Sequence, residues 1–167
     1  MSRHFQFAGS KKNIRWKVIL RKRGGGMRVF EHRHIVTFEE TNLLGNVYFT
    51  NFFLWQGECR EMFLHAHVPD VLRELTHGLS LATTRSSCEF FAEAFAFDEI
   101  LVRLKLNELT QSRVTMGFEY YRVNGGRSDL LAQGEQQVVC VRKNGQSVVV
   151  TELPPALHQK LLEFREQ

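Results

Sequence analysis

Two hydrophobic rhythms divide this chain. Between residues 47 and 66 the apolar positions Phe49, Phe52, Phe53, Cys59, Met62, Phe63 and Ala66 follow a helical spacing. That spacing runs for about five turns, a helix near 30 Å at ~1.5 Å per residue. A short second helix is predicted from Pro69 to Thr76, with Gly78 as its stop. Upstream, VFEHRHIVTF from Val29 to Phe38 reads as a strand, and the Gly45-Asn46 pair as a tight turn leading into the long helix. Everything after Gly78 is strand-like. Residues 80–97 open the series. In EILVRLKLNEL, Ile100, Val102, Leu104 and Leu106 then alternate with Arg103, Lys105 and Asn107. RVTMGFEYYRV, LLAQGEQQVVCVRK and SVVVTEL follow, separated by the hairpin signals Asn124-Gly125 and Asn144-Gly145. Pro154-Pro155 opens a closing helix, ALHQKLLEF.

One long helix followed by an antiparallel meander implies an α+β domain. The helix must lie on the apolar face of a curved sheet of about five strands. Such a sheet leaves edges open, and pairing of edges between subunits is a usual remedy. At least a dimer is expected, with a homotetramer, a dimer of dimers, as the assembly.

Composition changes this picture in one respect. The formal charge of the 167 residues is +4, yet residues 1–26 carry eight of the 22 Lys and Arg and no acid. The remainder, with 14 basic against 18 acidic side chains, is mildly acidic. Overall charge therefore gives no support to nucleic-acid binding by the domain. Residues 1–27 are read as a basic leader outside the domain, either a disordered tail or an extension upstream of a start at Met27; the domain is expected over residues 28–167. The leader's apolar runs are too short for a secretory core or a membrane span. An arm that binds RNA, an acidic partner or anionic lipid is the alternative reading of it. Cys59, Cys88 and Cys140 are widely spaced and odd in number, implying neither a metal site nor a disulfide framework. A reducing cytoplasm is the expected location.

The segment from Asn42 to Phe52, NLLGNVYFTNF, ahead of a long helix and antiparallel strands, resembles the hotdog-fold thioesterases of the 4-hydroxybenzoyl-CoA thioesterase branch. Ser87-Cys88-Glu89-Phe90 and residues 98–102 (DEILV) resemble that branch's strand pattern, and the resemblance covers residues 28–150. Residues 38–48 (FEETNLLGNVY) and 55–64 (WQGECREMFL) look like a narrower group, the thioesterases of enediyne polyketide biosynthesis. In that group an Asn replaces the branch's usual Asp and acts with an Arg on the long helix. The resemblance puts these catalytic roles on Asn42 and Arg60; Gly45, Tyr48, Phe49 and Phe52 of the same motif are expected at the substrate, as is Thr83, which with Thr84 lies on a strand expected to face the helix start. It implies a hotdog fold and hydrolysis of a polyene or β-ketoacyl thioester on a phosphopantetheine arm. The donor would be the acyl carrier domain of an iterative polyketide synthase, and decarboxylation of the product is possible. No cofactor or metal is required. One departure stands out: the group carries Tyr where this chain has Phe52, which removes a hydroxyl.

Residue chemistry supports part of that assignment. An aspartate can attack a thioester carbonyl or deprotonate water; a neutral amide can only position and polarise. Backbone N–H groups at the helix start, around Tyr48 and Phe49, are expected to be unpaired and to suit an oxyanion. Asn42 can equally be a turn residue bonding local backbone, and Arg60 can equally pair with Glu58 or Glu61. Arg60 lies far enough down the helix to need an acyl tunnel along it, or a site shared between subunits. Glu40 or Glu58 as a base defines an alternative acyl-CoA or hydroxybenzoyl-CoA thioesterase; a non-catalytic acyl-binding protein is a further alternative. Glu40 is also a natural partner for the basic strand His32-Arg33-His34. His32/His34 and His65/His67 lack a third ligand for a metal. Phe90, Phe91, Phe95 and Phe97 are either an acyl-channel wall or packed core.

Overall fold

The alternating segments pair as one antiparallel sheet, and the reason it curls lies in its bulges. The computed structural model describes residues 28–165; the expected leader, 1–27, lies outside the described residues. The strands are β1 (Phe30–Ile35), β2 (Leu79–Phe90), β3 (Glu99–Leu109), β4 (Arg113–Asn124), β5 (Arg127–Asn144) and the short β6 (Ser147–Val150). Their order is β1-β3-β4-β5-β2, and β6 adds only to β5. Register shifts at Thr83/Arg85, Leu106/Glu108 and Tyr120/Tyr121 each insert an unpaired residue. Bulges of this kind increase local twist, and here they accompany a sheet curled around a helix. Among the described residues β1 and β2 are the edges of the five-strand path, as the open-edge argument expected.

The helix in the sheet's hollow is α1 (Thr50–His67); α2 (Pro69–Leu75) follows it and α3 (Pro155–Leu162) closes the chain. α1 starts three residues later than the hydrophobic spacing suggested. Val47 is held in an extended bridge to Thr41, and its N–H donates to the Ala94 carbonyl, so the backbone cannot coil until Phe49. β1 likewise stops at Ile35 rather than Phe38, because Phe38–Glu40 wind into a single 3₁₀ turn. The segment 80–97 leaves the sheet after Phe90, where the N–H groups of both Phe91 and Ala92 turn to the Leu131 carbonyl.

The buried face of α1 is Phe52, Trp55, Gln56, Cys59, Phe63 and Leu64, a helical stripe rotated from the expected one. Phe49 and Ala66 face outward, and Phe53 and Met62 are half-buried. Burying each large apolar side chain on this stripe contributes about 1.5–3 kcal/mol. The exception on the stripe is polar. Gln56 is fully buried; its Nε2 donates to the Ser87 carbonyl at 3.0 Å, and its Oε1 accepts from Ser86 Oγ at 2.7 Å. The amide reaches β2 because β5 has Gly134 at that point. A Cβ there would stand 2.3 Å from Gln56 Nε2 and 2.8 Å from the Ser87 carbonyl oxygen.

Two stability predictions follow from these contacts. Gly134→Ala is expected to lose about 1–3 kcal/mol in urea unfolding through overpacking. Gln56→Ala removes the closer of the two approaches, leaving the one to the Ser87 carbonyl, so the double variant should be less damaged than the sum of the two singles; additive losses would refute the close-approach account. The second concerns His67, whose ring lies 5.7, 5.1 and 5.4 Å from the rings of Phe30, Phe63 and Phe164. Its Nε2 is buried with no hydrogen-bond partner among the described residues. Burial, then the nearby Lys160 and Arg28, hold its pKa below the ordinary 6.5, against the opposing pull of Glu163. The unfolded chain therefore takes the proton first. Stability from neutral His67 is complete above its ordinary value and is lost as pH falls through 6.5 toward the folded value. His67→Leu should flatten the fall of the urea midpoint between pH 7 and 5; parallel curves for variant and parent would exclude His67 as the titrating group.

Candidate active site

The turn that carries Asn42 is anchored from both ends. The Glu40 carboxylate accepts from His34 Nε2 at 2.8 Å on β1, from the Thr37 N–H at 2.7 Å, and from Trp55 Nε1 at 2.7 Å on α1. Its own backbone carbonyl takes Asn51 Nδ2 at 2.7 Å and the Tyr48 N–H at 2.9 Å. Burial alone would raise the Glu40 pKa, but the bonds from Thr37, His34 and Trp55 hold it below the usual value. A carboxylate so engaged has little basicity left for water. Glu40 thus fills the partner role to β1.

Two residues on, the Asn42 N–H donates to the Asn46 carbonyl at 2.8 Å, and its carbonyl accepts from the Gly45 N–H at 2.9 Å. Gly45 sits at φ +85°, a conformation that favours glycine, and this allows the tight reversal. The Asn42 side-chain oxygen accepts from the Leu44 N–H at 2.8 Å, an Asx turn. Its Nδ2 meets no partner among the described residues. The side chain is therefore half structural: the oxygen is committed to the turn and the amide donor remains available.

Of the two helix-start amides expected to be free, one is not. The Tyr48 N–H is bound to Glu40, whereas the Phe49 N–H finds no acceptor among the described residues. Tyr48 and Phe49 themselves are half-exposed, 49% and 50%, beside the exposed Leu43 and Leu44. Phe52 is different. At 3% exposure it is packed among the rings of Trp55, Phe90 and Tyr120, and it belongs to the core rather than to a substrate surface. The nearest hydroxyl of this cluster, on Tyr120, donates to the Phe52 carbonyl at 2.9 Å. Of the other phenylalanines, Phe90 joins this cluster while Phe97 stacks edge-on against Phe38.

Arg60 lies about 15 Å further along α1, counting ~1.5 Å per residue from Thr50. It pairs with neither Glu58 nor Glu61. Its guanidinium donates to Thr83 Oγ1 at 3.2 Å and to Gln136 Oε1 at 2.8 Å, both neutral, and no carboxylate lies within 4 Å among the described residues. Burial lowers its pKa, with Glu61 partly offsetting the effect. Glu58 points the other way, to His32 Nε2 at 3.2 Å and His34 Nδ1 at 3.7 Å. Thr83 therefore faces the middle of α1 beside Arg60, not the helix start near Asn42.

Gln136 was not singled out by sequence reasoning. The available signal was a polar residue in register with the inward positions Val138 and Cys140 of an alternating strand. Arg60 also marks a junction of two spaces. On one side a cleft of about 460 Å³ opens between α1, α2 and the start of β2, walled by Leu64, Leu72, Leu75, Leu79 and Leu81. On the other, an apolar seam runs between α1, the sheet and α3. A cation held by neutral groups at the edge of an apolar cleft can bind a polarised carbonyl, an oxyanion or a carboxylate. The cysteines add no nucleophile: burial pushes the Cys88 thiol up to about 12 and Cys59 higher still. No group of three or more metal-ligating side chains forms among the described residues.

Known proteins share this fold. A solved structure of the dynemicin thioesterase, described for its induced-fit and allosteric response to polyene binding, superposes with a TM-score of 0.79 at 46% identity, covering 81% of this chain and 96% of that one. A 1,4-dihydroxy-2-naphthoyl-CoA thioesterase from Synechocystis (22% identity, TM-score 0.69, 80% and 96% coverage) has the same fold. So does the 4-hydroxybenzoyl-CoA thioesterase of Pseudomonas sp. strain CBS-3, at 17% identity, TM-score 0.67, and 80% and 99% coverage. A putative esterase of Aquifex aeolicus (strain VF5) is 30% identical over 121 residues, 72% of this chain and 91% of the relative. The family model of the thioesterase-like superfamily matches residues 36–161, taking in the Asn42 turn, the whole of α1 and strands β2 to β6, and the chain is a member of that hotdog-fold superfamily.

Proposed function

We propose that this thioesterase releases a polyene or β-ketoacyl chain from the phosphopantetheine arm of an acyl carrier domain, as part of enediyne-type polyketide assembly. Family membership supports thioester hydrolysis in general. The narrower substrate is supported by the 46% identity to the dynemicin thioesterase, whose structures concern polyene binding. The observation that carries the mechanism is Arg60: a half-buried guanidinium whose partners among the described residues are Thr83 and Gln136, set between a leucine-lined cleft and an apolar seam.

In this reading water adds to the thioester carbonyl and the developing oxyanion is stabilised by the guanidinium. The thiolate then departs and takes up the proton that water gives up, leaving acid and free thiol. Asn42 contributes through Nδ2, donating to the carbonyl, with the unclaimed Phe49 N–H beside the same turn. No carboxylate takes part, since Glu40 is consumed by its anchoring bonds and Glu58 by its histidines. Asn42 and Arg60 are separated along α1, so a common thioester needs the Asn42 turn of a second copy, in keeping with a homotetramer built as a dimer of dimers. The β-keto acid formed this way loses CO₂ readily.

Free-thiol release from an acyl carrier domain loaded with a β-ketoacyl chain tests this. Arg60→Met should lower kcat/KM roughly 10²–10³-fold, the usual loss for one oxyanion donor. Its stability should be equal or greater, because an uncompensated half-buried charge has been removed. Asn42→Ala should lose a similar factor, while Glu58→Gln should stay within about threefold of the parent. Full activity in Arg60→Met, or a collapse in Glu58→Gln alone, would put the chemistry on a carboxylate instead.

A further inference from the structure

The apolar seam beyond Arg60 has one wall unlike the others. Leu81, Val114, Met116 and Val138 project from strands locked by ladder hydrogen bonds, and Phe63 and Leu64 from the long helix pinned through Gln56. The remaining wall is Leu157 and Leu161, from the eight-residue α3. α3 is held differently. Among the described residues its backbone bonds to the sheet and the β3–β4 turn occur at its flanks, where the Leu153 N–H meets the Gln111 carbonyl and Arg165 bridges Leu106. Between those points side chains hold it: Leu157 and Leu161 inward, Phe164 edge-on to Phe63 at 5.1 Å, and Glu163 bonded to Arg28 and Lys160.

With α3 seated, the seam encloses about 10 Å³, room for one water and no more. An acyl chain whose carbonyl rests on Arg60 must therefore run along the outer leucine-lined cleft or displace the α3 leucines. Ladder-bonded walls yield least, and a short helix docked by side chains yields most. We propose that Leu157 and Leu161 form the gauge that sets acyl-chain length, closing the inner end of a passage that starts at Arg60. The ligand is a linear apolar acyl chain. The inference rests on the reading that Arg60 receives the thioester carbonyl.

The test uses the full chain and saturated acyl-CoAs from six to sixteen carbons, comparing kcat/KM at each length. In the parent the value should climb about fourfold per methylene until the passage is full, then level off. Leu157→Ala and Leu161→Ala should move that plateau outward by about two to four carbons with short chains unaffected, since each opens a methyl-lined void. Leu161→Phe should move it inward. Leu162→Ala, on the exposed face of the same helix, should leave it in place. A plateau unchanged in all the variants, one uniform loss at every length, or an equal shift in Leu162→Ala would overturn the gauge. Should the alanine variants lose their far-UV signal, Leu161→Phe and the milder Leu161→Val carry the comparison. If the parent turns over no acyl-CoA, thermal shift with free fatty acids of the same lengths decides. A length limit that moves in Leu161→Phe supports the gauge even though hydrolysis of CoA esters has failed, and a limit that stays put overturns it. Loss of every length in Arg60→Met with the plateau question already answered separates the two claims.

Discussion

The contact through the gap at Gly134 fixes where α1 lies on the sheet, and the candidate site inherits that placement. Gln56 and Arg60 are one helical turn apart and face the same side; Gly134 and Gln136 are two strand positions apart and do likewise. Once the Gln56 amide is seated on Ser86 and Ser87 of β2, the next turn of helix sets the Arg60 guanidinium over Gln136 and Thr83. A helix docked only by apolar side chains can slide or roll at small expense, because burial is non-directional. A buried amide with both ends bonded cannot, since any shift leaves donor and acceptor unpaired.

Glu40 performs the matching task at the other end of α1. One residue ties β1, the 3₁₀ turn, the approach to the helix and the helix itself, using its carboxylate and its backbone carbonyl together. The Asn42 turn hangs directly from this hub, so its position is set by buried bonds rather than by the exposed loop around it. Two polar anchors thus hold the two functional groups, each close to an apolar surface. Such networks rigidify a structure when every member is satisfied.

The chemistry follows from what is left unsatisfied. In a well-paired interior, a half-buried guanidinium with neutral partners and a side-chain amide with a free donor are groups whose complement has yet to arrive. In the proposed reading a thioester supplies it: a carbonyl that gains negative charge on attack, and an apolar tail. The same arrangement holds the Glu40 carboxylate below the usual value, for it is already bonded to histidine, tryptophan and a backbone donor.

Much of this was legible in the residues. Two-residue alternation in β3, β4 and β5, the punctuation at Asn124-Gly125 and Asn144-Gly145, and the long apolar stripe gave the α+β architecture and the ends of β3 and β4, whereas β2 and β6 end earlier and β5 begins earlier than the pattern suggests. The motif around Asn42 and Arg60 pointed to the family. The misplaced boundaries at β1 and α1 share one cause: hydrophobic spacing is a local signal, and Thr41, Val47 and Ala94 meet through pairing that no local pattern records. Likewise Phe52 looked like a site residue by position, yet contacts from Phe90 and Tyr120, distant in sequence, make it core. The sequence alone therefore determined the periodicities, the turns and the residue types available for chemistry. Which donors remained free was decided only in three dimensions, because a hydrogen bond depends on a partner that can lie anywhere along the chain: Leu44 for Asn42, Gln136 and not Glu61 for Arg60.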